Sequence, residues 1–285
     1  MRPQFDLTHS RIARICCLAD RLFISFKHGE RQNCLLNAVY PHSEQAEVQL
    51  KGRESLGAFD LRILLGVVAL AGLKGVELPV ESGNALEGRI RNKFPDVCSI
   101  IVEIPGAKLL REIGLTDGGG NIRLVNESLE RMSKVNVSTF VPQRRRYPLL
   151  TVAVDSVSRT TVVGLGPLLT LPIIQGSNYS RIELHDVREL KSDPALLIHL
   201  RLCGYVDAGK MHRISMAKLM TYVWPEEATG SALRRRRAKV LAALAELQSI
   251  GWAVHEYARH RYEITRPKYR AAGDAFLRKF RKTTI

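Results

Sequence analysis

The run Ser231–Ile250, SALRRRRAKVLAALAELQSI, constrains the fold more than any other stretch of the chain. Leu233, Val240, Leu244 and Leu247 recur at helical spacing, with Leu241 on their flank. That pattern predicts one amphipathic helix of about five turns. Arg234, Arg235 and Lys239 fall on other faces. The arginines crowd the first turns, where the positive end of the helix dipole disfavours cations. An anion brought to that end relieves the conflict. DNA phosphate is the natural candidate, with base edges beyond it.

Charge along the chain supports the same reading. The 285 residues suffice for roughly two domains, and an apolar share of 45% permits true cores. Net charge is +15; from Gly230 onward there are 14 Lys and Arg against 4 Asp and Glu, so ten of the fifteen excess charges lie in the last fifth. Such concentration is a local electrostatic footprint. Nucleic acid is the first expected partner and an anionic membrane surface the second.

Cys16, Cys17, Cys34, Cys98 and Cys203 form no CxxC, and their odd count fits buried thiols in a reducing cytoplasm. The most apolar runs, Ile63–Leu73 and Val162–Ile174, are shorter than the roughly 18 residues of a membrane span. No signal-peptide pattern stands out, so no membrane association is expected. Residues 1–33, with scattered arginines beside Asp6 and Asp20, predict a poorly defined N-terminal arm.

Further along, Asn33–Tyr40 and Ala46–Lys51 alternate around a turn and predict a hairpin. Leu56–Gly72 predicts a helix with Gly72 as C-cap. Leu73–Pro95 is rich in Gly, Pro and Asn and predicts a loop, and Val97–Ile104 a strand. A pattern then begins. Ala107–Ile113 is a short helix, Thr116–Gly120 a glycine turn and Asn121–Lys134 a second helix. Val135–Val141 and Leu149–Val154 are strands around a basic turn, Gln143–Arg146. Helix, turn, helix and a basic ribbon define a winged helix-turn-helix. Val162–Ile174 closes this unit, and Gln175–Asn178 is the linker.

The pattern recurs with other residues. Ala195–Val206 and Ser215–Trp224 are helices, EEATG is the turn and the arginine helix follows. Trp252–Tyr257 and Arg261–Thr265 are strands joined at Ala258–His260, and Ala271–Phe280 predicts a closing helix. The fold class is therefore α+β: two tandem winged helix-turn-helix domains, at 34–175 and 176–285.

Catalytic motifs fail one by one. Gly204–Lys210, GYVDAGK, fits GxxxxGK, but Met211 stands where a phosphate loop needs Ser or Thr, and a helix precedes it. It predicts a turn. No His-x-His, HExxH, GxSxG or closely spaced Asp pair of a polymerase or primase site occurs. No enzyme activity and no cofactor are expected. The expected DNA contacts are Arg123, Arg131 and Lys134 on the first second-helix, with Glu127 beside them, and Arg144, Arg145 and Arg146 on its ribbon. In the second unit they are Ser231, Arg234, Arg235, Arg237 and Lys239, plus Arg259, His260 and Arg261 at the wing. Arg237 lies nearer the core edge, where its stem packs and its head snorkels.

LGAFDLRILLGVVALAG, HLRLCGYVDAGK, YVWPEEATGSALRRRRAKVLAALAELQSIGW and YEITRPK together resemble the RepC replication initiators of IncQ-type plasmids. The likeness covers Leu56–Gly72 and Leu196–Lys268 closely and the first 33 residues not at all. It implies two winged-helix domains and binding of double-stranded origin DNA at direct repeats, the iterons. It also implies opening of an adjacent AT-rich region, then loading of a plasmid-encoded helicase and primase. Family analogy adds a homodimer off DNA, formed through the hairpin or helix Leu56–Gly72. A winged-helix transcriptional repressor is the alternative, and an origin-nicking or priming enzyme a third reading. Two unlike heads on one face of the duplex should cover about 20 bp and prefer direct over inverted repeats.

Overall fold

The computed structural model describes residues 5–26, 35–43, 46–74, 76–77, 100–140, 144–154 and 160–269. The expected closing helix Ala271–Phe280 and most of the loop Leu73–Pro95 lie outside them.

The chain begins with β1 (His9–Ala13) and the short α1 (Arg14–Leu18). A hairpin follows, β2 (Leu36–Ser43) and β3 (Ala46–Gly52), with Val39 opposite Gln49. Next comes α2 (Ala58–Lys74). It runs past Gly72, which is therefore no C-cap. At its start Gly57 donates its N–H to the Asp60 carboxylate at 2.8 Å, satisfying an end amide. Leu61, Ile63, Leu64, Leu65 and Val67 are fully buried, so the helix is apolar on nearly every side because it is packed on nearly every side.

After β4 (Val76–Glu77) and β5 (Ile100–Ile104) come α3 (Gly106–Glu112) and α4 (Gly119–Ser133). Four strands follow: β6 (Asn136–Phe140), β7 (Arg144–Pro148), β8 (Leu150–Val154) and β9 (Thr161–Leu165). The remainder is α5 (Pro167–Gln175), β10 (Tyr179–Glu183), α6 (Leu184–Glu189), α7 (Asp193–Tyr205), β11 (Met211–Ser215), α8 (Met216–Thr221), α9 (Gly230–Ser249), β12 (Ala253–Ala258) and β13 (Arg261–Thr265).

The order helix, strand, helix, helix, strand, strand occurs twice, as α2-β5-α3-α4-β8-β9 and as α7-β11-α8-α9-β12-β13. The sheets agree: β5-β9-β8 in the first unit, with β4 added at one edge, and β11-β13-β12 in the second. Two winged helices in tandem are thus present, but the first wing is not the expected ribbon. The β8–β9 hairpin occupies the topological place of β12–β13. The β6–β7 hairpin is inserted before it and joins β2 and β3 in a separate sheet, β2-β3-β6-β7. The Leu149 N–H still donates to the Val135 carbonyl at 2.8 Å, but Leu150–Val154 does not pair back onto Val135–Val141. Its partner is β9, where Val152 faces Val163. The expected turn Gln143–Arg146 is mostly strand, since Arg144 opens β7.

Residues 5–26 depart from the expected loose arm. β1 pairs antiparallel with β10, and α2 and α5 pack on it, while α1 packs on α7. Leu7, Ile12, Cys16, Cys17 and Leu22 are buried in a core cluster that continues to Ile264. GYVDAGK is a turn after a helix: the Lys210 N–H donates to the Asp207 carbonyl at 3.0 Å, and Gly209 has φ 76°. No helix among the described residues is long and apolar enough to cross a membrane.

Candidate nucleic-acid interface

In the second unit α9 presents two unlike faces. Val240, Ala243, Leu244 and Leu247 are buried against the rest of the unit. Ser231, Arg234, Arg235, Ala238, Lys239, Ala242 and Ala245 are exposed. By helical angle Ser231, Ala238 and Ala242 run along the centre of that face, flanked by Arg234 and Arg235. Leu241, expected beside the core, is 49% exposed on the rim. The alanines were not singled out from the sequence, although the same helical angles place them. Alanine leaves a helix slim enough for close approach and can contact a thymine methyl.

The four arginines are not equivalent. Arg236 donates to the Glu226 carbonyl and its guanidinium lies 5.3 Å from the Trp224 ring centre, so it braces the preceding turn. Arg237 is half-buried, with its Nε enclosed and without a hydrogen-bond partner among the described residues. Arg234, Arg235 and Lys239 form no ion pair with any described residue. The first turn of α9 contains no acidic residue, and Thr229 at its N-cap gives no side-chain hydrogen bond. Positive side chains and unsatisfied amides therefore meet at one exposed end.

The wing continues this surface. Arg259 and Arg261 are exposed at the β12–β13 turn. His260 takes a left-handed conformation, φ 62°, and its backbone N–H donates to the Glu256 carboxylate at 2.6 Å. A local carboxylate thus holds the tip in shape. β11, unanticipated because only Ile214 of its five residues is buried, pairs with β13 and sets Ser215 opposite Arg261.

The first unit is built differently. On α4, Val125, Leu129 and Met132 face inward as expected. Outside, Arg123 pairs with Glu127 at 3.3 Å and Lys134 with Glu130 at 2.7 Å. The Lys134 ammonium holds the Glu130 carboxyl below its ordinary range. These four charges cancel. Arg131, expected to face DNA, is instead engaged within the protein. Its guanidinium donates to Asp60 Oδ1 at 2.9 and 3.3 Å, and Ser128 Oγ donates to the same oxygen at 2.7 Å. Asp60 is fully buried, so Arg131 ties α4 to α2 rather than facing a ligand. Arg145 and Arg146 are exposed on β7; Arg144 lies on the same strand, its side chain outside the described set.

The titratable groups at the joint between the units are inward-facing. Burial pushes the Cys17 thiol up to about 11 and raises those of Cys16 and Cys203. His199 is fully buried and edge-on to Trp252, with ring centres 5.7 Å apart, and burial lowers its pKa to about 3.

Two winged helices sharing one core, one with a free basic recognition helix, place the chain among tandem winged-helix proteins. The sequence profile of replication protein C (RepC) matches residues 4–268, and the chain belongs to that family. No curated protein sequence matches it. Among solved structures, domains 2 and 3 of RctB superpose with TM-score 0.57 at 8% identity, covering 90% of this chain and 99% of that one. A second RctB domain 2–3 structure gives TM-score 0.53 at 9% identity, covering 88% and 95%. The Pi initiator protein in complex with iteron DNA gives TM-score 0.48 at 12% identity, covering 74% and 92%.

Proposed function

We propose that this chain initiates replication by binding direct repeats at an origin as double-stranded DNA. One observation carries the reading: the exposed face of α9 offers Arg234, Arg235 and Lys239 with no described acidic partner. In a chain of the replication protein C family, that face is the entrant to the major groove. Arg259, His260 and Arg261 meet the flanking backbone, and Ser231 caps the approach. Arg123, Lys134, Arg144, Arg145 and Arg146 supply the weaker first head. The heads fall in residues 34–175 and 176–285.

Binding is driven by counterion release and base contacts; DNA deformation then promotes opening of an AT-rich flank. A plasmid-encoded helicase and primase load there, and the protein itself performs no bond chemistry. Off DNA the free protein is a homodimer. Most apolar side chains of α2 are taken up by its own core, with Leu73 at its end 54% exposed, which weakens the case for a contact through this helix. The β2–β3 hairpin, with Val39 37% exposed, remains the candidate.

A nuclease footprint on the DNA neighbouring its own replicon tests the reading. Protection of direct repeats of about two turns, with permanganate reactivity at an AT-rich flank, is the expected result. Protection of one short inverted repeat without strand opening would favour a repressor. Nicking or primer synthesis by the purified protein would overturn the non-enzymatic reading.

A further inference from the structure

The geometry points to residues 5–26 as a clasp that locks the two winged helices together and so fixes the spacing of the half-sites this chain accepts. The second clause rests on the two-headed reading above; the first does not.

The segment touches the first unit at one end. Backbone N–H groups of Asp6 and Leu7 both donate to the buried Glu112 carboxylate at 3.0 Å, at the end of α3. It then becomes β1, whose only strand partner among the described residues is β10, the first element after the linker. From there it enters the second unit. Arg201 of α7, 6% exposed, donates to Asp20 Oδ1 at 2.8 Å and to the Leu18 carbonyl. At residues 24 and 25 the segment straddles the joint. The Ile24 N–H donates to the Leu56 carbonyl just before α2, and the Ser25 N–H to the Val223 carbonyl just after α8, both at 2.9 Å. Two adjacent amides thus hold opposite units.

The fit is close. A Cβ on Gly204 of α7 would lie 2.7 Å from Leu18 Cδ2 and 2.8 Å from Cys17 Cβ, so α1 can lie on α7 only because residue 204 has none. Direct contacts reinforce the lock: the Arg62 guanidinium of α2 donates to the carbonyls of Val187 and Leu190. Hinged heads on a flexible linker would tolerate altered half-site spacing. Heads held by a shared core and a two-sided strand cannot.

The first test needs no DNA. Spin labels at Asn126→Cys on α4 and Ala245→Cys on α9, both exposed, are placed in a chain carrying Cys34→Ser and Cys98→Ser. Cys16, Cys17 and Cys203 are buried and stay unlabelled. The expected interlabel distance distribution is single and narrow, and it broadens in Gly204→Ala and in Asp20→Ala. A broad distribution in the parent chain overturns the clasp, as does an unchanged narrow one in a folded variant. If Gly204→Ala does not fold, Asp20→Ala decides. The second test uses repeats with 5 bp inserted between half-sites, half a helical turn. Since linked binding multiplies affinity by about 10²–10⁴, the parent should lose roughly 100-fold or more and Asp20→Ala under about tenfold. Equal losses refute the spacing role. Failure of both proteins to bind any repeat would instead strike the proposed function and leave the distance result standing.

Discussion

Arg131→Ala separates structural from DNA-facing arginines. Asp60 is fully exposure-free and receives four hydrogen bonds: from Gly57 N–H, Ser128 Oγ and two nitrogens of Arg131. Removing Arg131 deletes two of these and the guanidinium paired with the carboxylate, leaving a poorly compensated anion inside the first unit. Breaking a buried pair at one partner costs about 3–5 kcal/mol. The two surviving donors, and the 13% exposure at Arg131, place this case near the lower end, about 3 kcal/mol. With a urea dependence of about 3 kcal/mol per molar, the midpoint should fall by about 1 M. Asp60→Asn with Arg131→Met, which removes both charges, should recover much of that loss. The assay is urea unfolding followed by circular dichroism, beside a DNA-binding titration of the folded variant. A midpoint within about 0.2 M of the parent, together with a tenfold weaker affinity for repeats, would refute the argument and return Arg131 to the DNA surface.

Arg235→Ala should do the opposite. Stability stays within about 0.5 kcal/mol, and affinity falls by about 1–3 kcal/mol if Arg235 reads a guanine. If it touches only phosphate, all sequences weaken alike and the salt slope drops by about 0.9; unaltered binding in a filter assay would sink both versions. Gly166→Ala should destabilise by about 3 kcal/mol or more, because its Cβ would fall 2.2 Å from the Pro148 carbonyl oxygen and 2.8 Å from that of Leu149, neither of which can rotate away. A thermal midpoint equal to the parent's would disprove that. His199 gives a pH signature. Its folded pKa of about 3 lies below the unfolded value near 6.5, so the unfolded chain takes up the proton first. Stability from this site is complete above pH 6.5 and declines as pH falls toward 3, by about 1.4 kcal/mol per unit. His199→Leu should flatten that slope between pH 6 and 4 in urea titrations, and an unchanged slope would count against it.

The second winged helix was legible because its signals are local. The 20 residues of α9 show their apolar period and charge in one window, and Arg261–Thr265 alternates buried and outward residues as a strand should. The first unit was legible only in its helices. Its wing escaped because the apolar run Val162–Ile174 holds two elements, β9 and α5, split by Gly166, and periodicity does not divide such a run. QRRR drew the eye by charge, yet pairing decides a wing, and pairing places it in an inserted hairpin. Residues 5–26 carry weak patterns of their own; β1 exists because β10 completes it. Arg131 shows the same limit at one residue. It stands on the edge of the helix face, and only its distance to Asp60, 71 positions away, separates a buried pair from a free cation.

The two heads therefore differ in kind. On α9 Arg234, Arg235 and Lys239 stand unopposed among the described residues, and on the proposed reading each phosphate neutralised there would release counterions. On α4, Glu127 and Glu130 already neutralise Arg123 and Lys134, so bringing that face to DNA gains little from long-range charge. Its worth lies in geometry: Glu127, 3.3 Å from Arg123, orients the guanidinium. Arg123→Ala would then weaken binding twice over, by removing a donor and by leaving Glu127 unpaired against phosphate. Arg123→Ala with Glu127→Ala should bind more tightly than Arg123→Ala alone, whereas Glu127→Ala alone should bind the wrong sequences better than the parent does. Exposed pairs at this spacing contribute only about 0.3–0.5 kcal/mol to stability, so the folding of all three variants should be nearly unchanged. A double mutant that binds no better than Arg123→Ala would show that Glu127 faces solvent in the complex, and that the first head reads DNA through β7 instead.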